Sequence, residues 1–119
     1  MYYYHVALLK SHSPLLTYAS ASRHEIGEVV SVPVRSVDRE GVVVHLSDKP
    51  EFQTLEITSS SGQYYSEMQL ETAKFISEYY FSSFGEAISL FLPFRKQREI
   101  RSDEVHHQEK EIEASQSDA

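Results

Sequence analysis

In the first half of the chain, apolar side chains fall in short runs separated by polar breaks, a pattern of strands rather than helices. Residues 2 to 9, YYYHVALL, are aromatic or aliphatic at nearly every position, which predicts a strand buried on both faces. Ser11, Ser13 and Pro14 interrupt it, and Leu15 to Ala19 predicts a short second strand. SASRHEIG, residues 20 to 27, reads as a loop ending at Gly27. EVVSVPV (28 to 34) and GVVVHL (41 to 46) flank the polar stretch RSVDRE (35 to 40), so they predict a hairpin with a six-residue tip. Pro33 has no N–H for a ladder and marks an edge or the end of pairing. SDKP (47 to 50) is a turn, Phe52, Leu55 and Ile57 belong to a further strand, and SSSGQ (59 to 63) closes it.

The period then changes. Ser66 can cap a helix, with Gln69 three residues on completing a capping box and Glu67 suited to the helix dipole. Ala73, Ile76 and Tyr80 recur at helical spacing and predict a buried stripe flanked by Phe75 and Tyr79. A second short helix is expected to start near Phe84, with Ala87, Ile88, Phe91 and Leu92 inward and Pro93 at its end. Beyond Phe94 there is no aromatic residue, and residues 94 to 119 are expected to be a polar linker or disordered tail. The fold class that follows is α+β: a small strand-rich, barrel-like sheet in residues 1 to 93, then two short helices and the polar C-terminal tail.

Composition narrows the chemistry. The length of 119 residues fits one domain. The absence of cysteine removes disulfides and thiolate metal sites and fits a reducing cytoplasm. No apolar run reaches the roughly 18 residues needed to cross a membrane, and the N-terminus lacks the layout of a signal peptide. Formal net charge is −7, without a basic stripe, which argues against a duplex-gripping surface built on many phosphate contacts.

No phosphate-binding loop, GxSxG elbow or metal-spaced His set is present. His106 and His107 are adjacent and make a poor chelate, so they read as solvated tail residues. His5 and His45 read as hydrogen-bonded histidines within strands, and His12 and His24 as loop residues. Glu67, Glu71 and Lys74 describe a wet helix face. With no nucleophile beside a base, the chain is not expected to be an enzyme, and neither a cofactor nor a metal is expected. Seven of the eight tyrosines cluster, at 2 to 4, 64 to 65 and 79 to 80. The helical pairs are expected to pack in the core with their hydroxyls reaching solvent. For Tyr18 a base-stacking platform and core packing both stay open.

Three stretches, in order, resemble one family. They are HVALLK…SPLLTY (5 to 18), IGEVVSVPV…EGVVV (26 to 44) and SEYYFSSFGEAISLFLP (77 to 93). The last is the most specific: a tyrosine pair, three spacers, an apolar-Gly-acidic step and a closing Leu-Pro. Together they resemble the N-terminal DNA-binding domain of primosomal protein N′, the PriA-type replication-restart helicases. The resemblance implies a module that captures the 3′ end of a nascent strand at a stalled fork. It also implies a parent ATP-driven 3′→5′ helicase whose ATP site and zinc cysteines lie in later domains. The implied partners are forked or 3′-ended DNA, other domains of the parent helicase, and replisome or primosome proteins, in the cytoplasm and without a membrane; a monomer is the default.

Carried over by motif, the implied DNA pocket comprises Leu16, Thr17 and Tyr18, then Pro33, Val34 and Arg35, with Leu55 nearby. The pattern associated with that pocket has an aromatic where Leu16 stands, an aspartate where Thr17 stands and a lysine near Leu55. In this chain Thr17 could bond a terminal hydroxyl, and Arg35 could supply the positive charge. The competing reading is a small β-barrel that binds a protein partner through exposed tyrosines or the acidic tail.

Overall fold

The computed structural model describes residues 1–80 and 82–95. The elements run β1 (Tyr2–Leu8), β2 (Leu16–Ser20), β3 (Glu28–Val34), β4 (Val37–Ser47), β5 (Leu55–Glu56), β6 (Ser59–Tyr64), α1 (Glu67–Tyr80), α2 (Phe84–Ile88) and β7 (Phe94–Arg95). The strands form one sheet in the order β5-β2-β1-β4-β3-β6-β7. Neighbours are antiparallel except β2 and β5, which run parallel. The architecture is therefore α+β, a strand-rich mixed sheet with two short helices.

The sheet curls without closing its ladder. The Ile57 N–H donates to the Ala19 carbonyl of β2 at 2.9 Å, and the next residue, Thr58, donates to Ser31 of β3 at 2.8 Å. The chain thus crosses from β2 to β3, two strands separated in the sheet by β1 and β4, and wraps the face between them. That face holds one core: Tyr4, Val6, Leu8, Tyr18, Val30, Val32 and Val43, with Leu16, Val34 and Ile57 packed against it. Alternation along the strands sends Val29 and Val42 to the other face. There they meet Tyr65, Ala73, Ala87 and Ile88 beneath the helices.

Special backbone geometry appears where the layers touch. Gly85 lies so close to β1 that an added Cβ would sit 1.9 Å from the Leu8 carbonyl oxygen. Ser83 caps α2 in a reciprocal capping box with Glu86, as Ser66 and Gln69 do for α1. Hydrogen bonds from His12 and Ser83 hold the Glu86 carboxyl below its ordinary value of 4.5.

At the start of β3, buried Glu28 pairs with His24 Nδ1. His24 also lies 3.0 Å from Ser20 Oγ through Nε2, and its backbone N–H donates to Tyr4 Oη at 2.8 Å. This network fixes the loop between β2 and β3 to the core and gives His24 a structural partner set that its loop position in the sequence did not announce.

Several local expectations change. The hairpin tip is two residues, Arg35 and Ser36, at φ 51 and 68, rather than six. Two left-handed residues make a tight turn whose twist matches the strands. Residues 37 to 40 belong to β4, and Asp38, Arg39 and Glu40 are charged because this end of the strand is exposed to water. SSSGQ, expected to close the preceding strand, is itself part of strand β6. Its serines sit on an exposed strand held by backbone pairing to β3, where side-chain apolarity is not required.

Tyr80 is 69% exposed rather than buried, and Tyr79 and Phe75 share the exposed face. The helix outruns the sheet it packs on, so only Ala73 is buried and Ile76 partly so. Leu92 is 87% exposed, because α2 stops at Ile88 and leaves the following residues outside the helical stripe. His5 and His45 are cross-strand partners meeting edge-on with ring centroids 6.3 Å apart. His5 is half-buried and His45 exposed, not enclosed in a core. Phe94 and Arg95 pair with β6, whereas the remaining residues of the proposed tail, with His106 and His107, lie outside the described residues.

Candidate nucleic-acid interface

The seven sequence-picked residues divide by strand face. β2 alternates, so Leu16 and Tyr18 point to the first core and Thr17 to the opposite face. Thr17 pairs in register with His5. Val34 joins Leu16 at the margin of the first core. Leu55 lies beside Tyr18 in the short parallel pairing of β2 and β5, and is 59% exposed. Because β5 covers only Tyr18 and Ala19, Leu16 and Thr17 lie beyond its reach along β2.

Tyr18 joins the two halves of the site. Its ring is 4% exposed and its hydroxyl donates to the Pro33 carbonyl at 2.9 Å. Core packing is thus the observed role of the ring, and no open face is left for a base to stack on. Burial raises its pKa above 10.0, and the charge of Arg39 opposes part of that rise. Pro33 suits this place. β6 pairs with β3 only at Glu28, Val30 and Ser31, so beyond Ser31 a residue without an N–H costs no bond to β6.

Arg35 stands exposed on the hairpin tip, displaced from the core margin by the turn. The described contacts bring Leu16, Tyr18, Pro33, Val34 and Leu55 together. They do not bring Thr17 onto the same face, nor Arg35 into contact with Tyr18. The exposed Val37, opposite Val34 in β4, extends the apolar margin.

The sequence reading missed Arg39, which is paired with Val32 and carries the positive charge felt by Tyr18. The signal was present in the alternation of β4, but it was hidden by assigning residues 35 to 40 to a loop. Among the described residues, no group of three or more His, Asp or Glu side chains could hold a metal ion, and no helix is long and apolar enough to cross a membrane.

An apolar margin between the ends of β2 and β3, with a cation beside it, suits an extended ligand that is apolar on its faces and anionic along its backbone. Comparison with known sequences decides which family this arrangement comes from. Residues 5–93 match the family described as 3'DNA-binding domain (3'BD), the PriA 3′ domain. The chain belongs to the PriA 3′ DNA-binding domain family. Two proteins named replication restart protein PriA, from two strains of Helicobacter pylori, are 36% and 38% identical to it over 96 residues. Each alignment covers 81% of this chain, which spans about 15% of those relatives' length. The match runs from within β1 through α2, and so covers most of the curled sheet and both helices.

Proposed function

We propose that the domain captures the 3′ end of a DNA strand, within a replication-restart helicase that acts at stalled forks. The observation that carries the reading is the family match over residues 5–93, joined to the convergence of Leu16, Tyr18, Pro33, Val34 and Leu55 across the curled face, where Tyr18 of β2 reaches the end of β3. Leu16, Val34, Val37 and Leu55 offer apolar surface to the face of a terminal base. Thr17, on the opposite face of β2 where β5 does not cover it, offers its hydroxyl around that strand to the 3′-terminal hydroxyl, and Arg35 offers charge from the hairpin tip. Tyr18 acts beneath them by fixing β2 to the end of β3.

The domain has no catalytic part in this reading. The parent protein supplies the ATP-driven helicase activity, and its other domains, with replisome or primosome proteins, are the partners in the cytoplasm. The domain acts as a monomer, and residues 94 to 119 lead toward the rest of the parent chain.

An end pocket needs few phosphate contacts, which reconciles DNA binding with a net charge of −7. Its affinity should be modest and fall gently with salt. Linkage to other DNA-binding domains would strengthen it in the parent protein.

Fluorescence anisotropy with two partial duplexes, alike except for a 3′-hydroxyl or a 3′-phosphate, tests this reading. The hydroxyl form should bind more tightly, and Thr17→Ala should narrow the difference. Equal binding would reduce the domain to a general DNA module. Loss of binding to both at low salt would favour a protein-interaction module, for which the exposed aromatic face of Phe75, Tyr79 and Tyr80 is the surface.

A further inference from the structure

β4 places three charged residues in a row, Asp38, Arg39 and Glu40, and strand alternation separates them. Glu40 lies on the face of the second core, where its charge helps to raise the Tyr65 pKa. Asp38 shares that side of the pleat and accepts from Thr58 Oγ1 at 3.2 Å. Arg39 lies on the opposite side, in register with Val32 and between Val37 and Gly41 on the same face. That is the face of Tyr18, Leu16 and Val34.

Strand register and electrostatics both place it near the proposed pocket. Tyr18 reaches across to Pro33, the residue after Arg39's partner Val32. The charge of Arg39 in turn acts on the Tyr18 hydroxyl. The residue is exposed, and among the described residues it forms no salt bridge. A guanidinium on the pocket face, with its neighbouring carboxylates turned away, is placed to meet an anion.

Resting on the end-capture reading, we propose that Arg39 binds the phosphate of the last internucleotide linkage, one step in from the 3′ terminus. Arg35, on the hairpin tip, contributes only general attraction. The guanidinium fork can take two oxygens of one phosphate, which a hydroxyl contact to the terminal sugar leaves accessible.

The test is a cycle of protein and DNA changes, read by anisotropy on the whole chain. One oligonucleotide carries an ordinary last linkage, the other a neutral methylphosphonate there. Wild-type protein should bind the neutral oligonucleotide about tenfold more weakly. Arg39→Gln should bind the ordinary oligonucleotide with a similar loss, and should lose nothing more on the neutral one. Its salt slope should fall by about 0.7, the value of one single-strand phosphate contact. Arg39→Lys should keep that slope.

Because Arg39 is exposed, both variants should melt like wild type. An Arg39→Gln protein that still loses affinity on the neutral oligonucleotide would overturn the assignment, while a kept preference for the 3′-hydroxyl would leave end capture standing. No 3′-hydroxyl preference in wild-type protein would overturn end capture, and this assignment with it.

Discussion

The Tyr18 hydroxyl donates to the Pro33 carbonyl from inside the first core, at a point where β6 no longer flanks β3. Without that bond the Pro33 carbonyl would depend on water. Tyr18→Phe should therefore lower stability by about 1 kcal/mol, read as a drop in the urea midpoint with an unchanged slope. The bond needs a protonated phenol. Burial raises the folded-state pKa above 10.0, so the contribution is complete below about pH 10 and is lost as pH climbs through the folded value. Tyr65 is raised in the same direction, by burial and then by the charge of Glu40. Alkaline destabilisation should thus be shallower in Tyr18→Phe but not abolished. At this scale the sequence allowed both roles for Tyr18, and the hydrogen bond to a residue fifteen positions away decided between them. Nothing in the local pattern around LLTYA encodes that contact.

Elements were legible where local chemistry and tertiary position agree. The reciprocal bonding of Ser66 with Gln69 follows from spacing alone. The valine runs of β3 and β4 sort into two cores by alternation, as a sheet covered on both faces requires. Legibility failed where solvent decides. β6 has the composition of a turn because an exposed strand needs backbone pairing more than apolar side chains. The second half of α1 has an apolar stripe with no sheet beneath it, so Phe75, Tyr79 and Tyr80 stack on one another instead. The Phe84-Gly85-Glu86 step has a clear physical basis. Gly85 allows α2 to meet the end of β1, and the Lys10 N–H donates to its carbonyl at 3.3 Å. Gly85→Ala would force backbone apart around the Leu8 carbonyl. It should destabilise by about 3 kcal/mol, measured by denaturant unfolding, although alanine is the better helix former.

For the whole molecule, the end-capture proposal reconciles a net charge of −7 with a DNA-binding family by keeping binding local. The six-residue tip expected from RSVDRE hid Arg39, a cation on the face of Tyr18, and the shortened turn revealed it. Four of the seven candidate residues, Leu16, Tyr18, Val34 and Leu55, have side chains in or beside the first-core face, and Pro33 joins them through its carbonyl. Thr17 sits on the reverse of β2 and Arg35 on the hairpin tip, positions that motif order could not reveal because it carries no information about strand face. End capture at this site is the central claim. NMR titration of the isotope-labelled chain with a short DNA strand bearing a free 3′-hydroxyl tests it most directly. Saturable shifts should concentrate at residues 16 to 18, 33 to 35, 39 and 55, and should weaken when the terminus is phosphorylated. Shifts confined to the α1 face of Phe75, Tyr79 and Tyr80, or a pattern indifferent to the terminus, would contradict it.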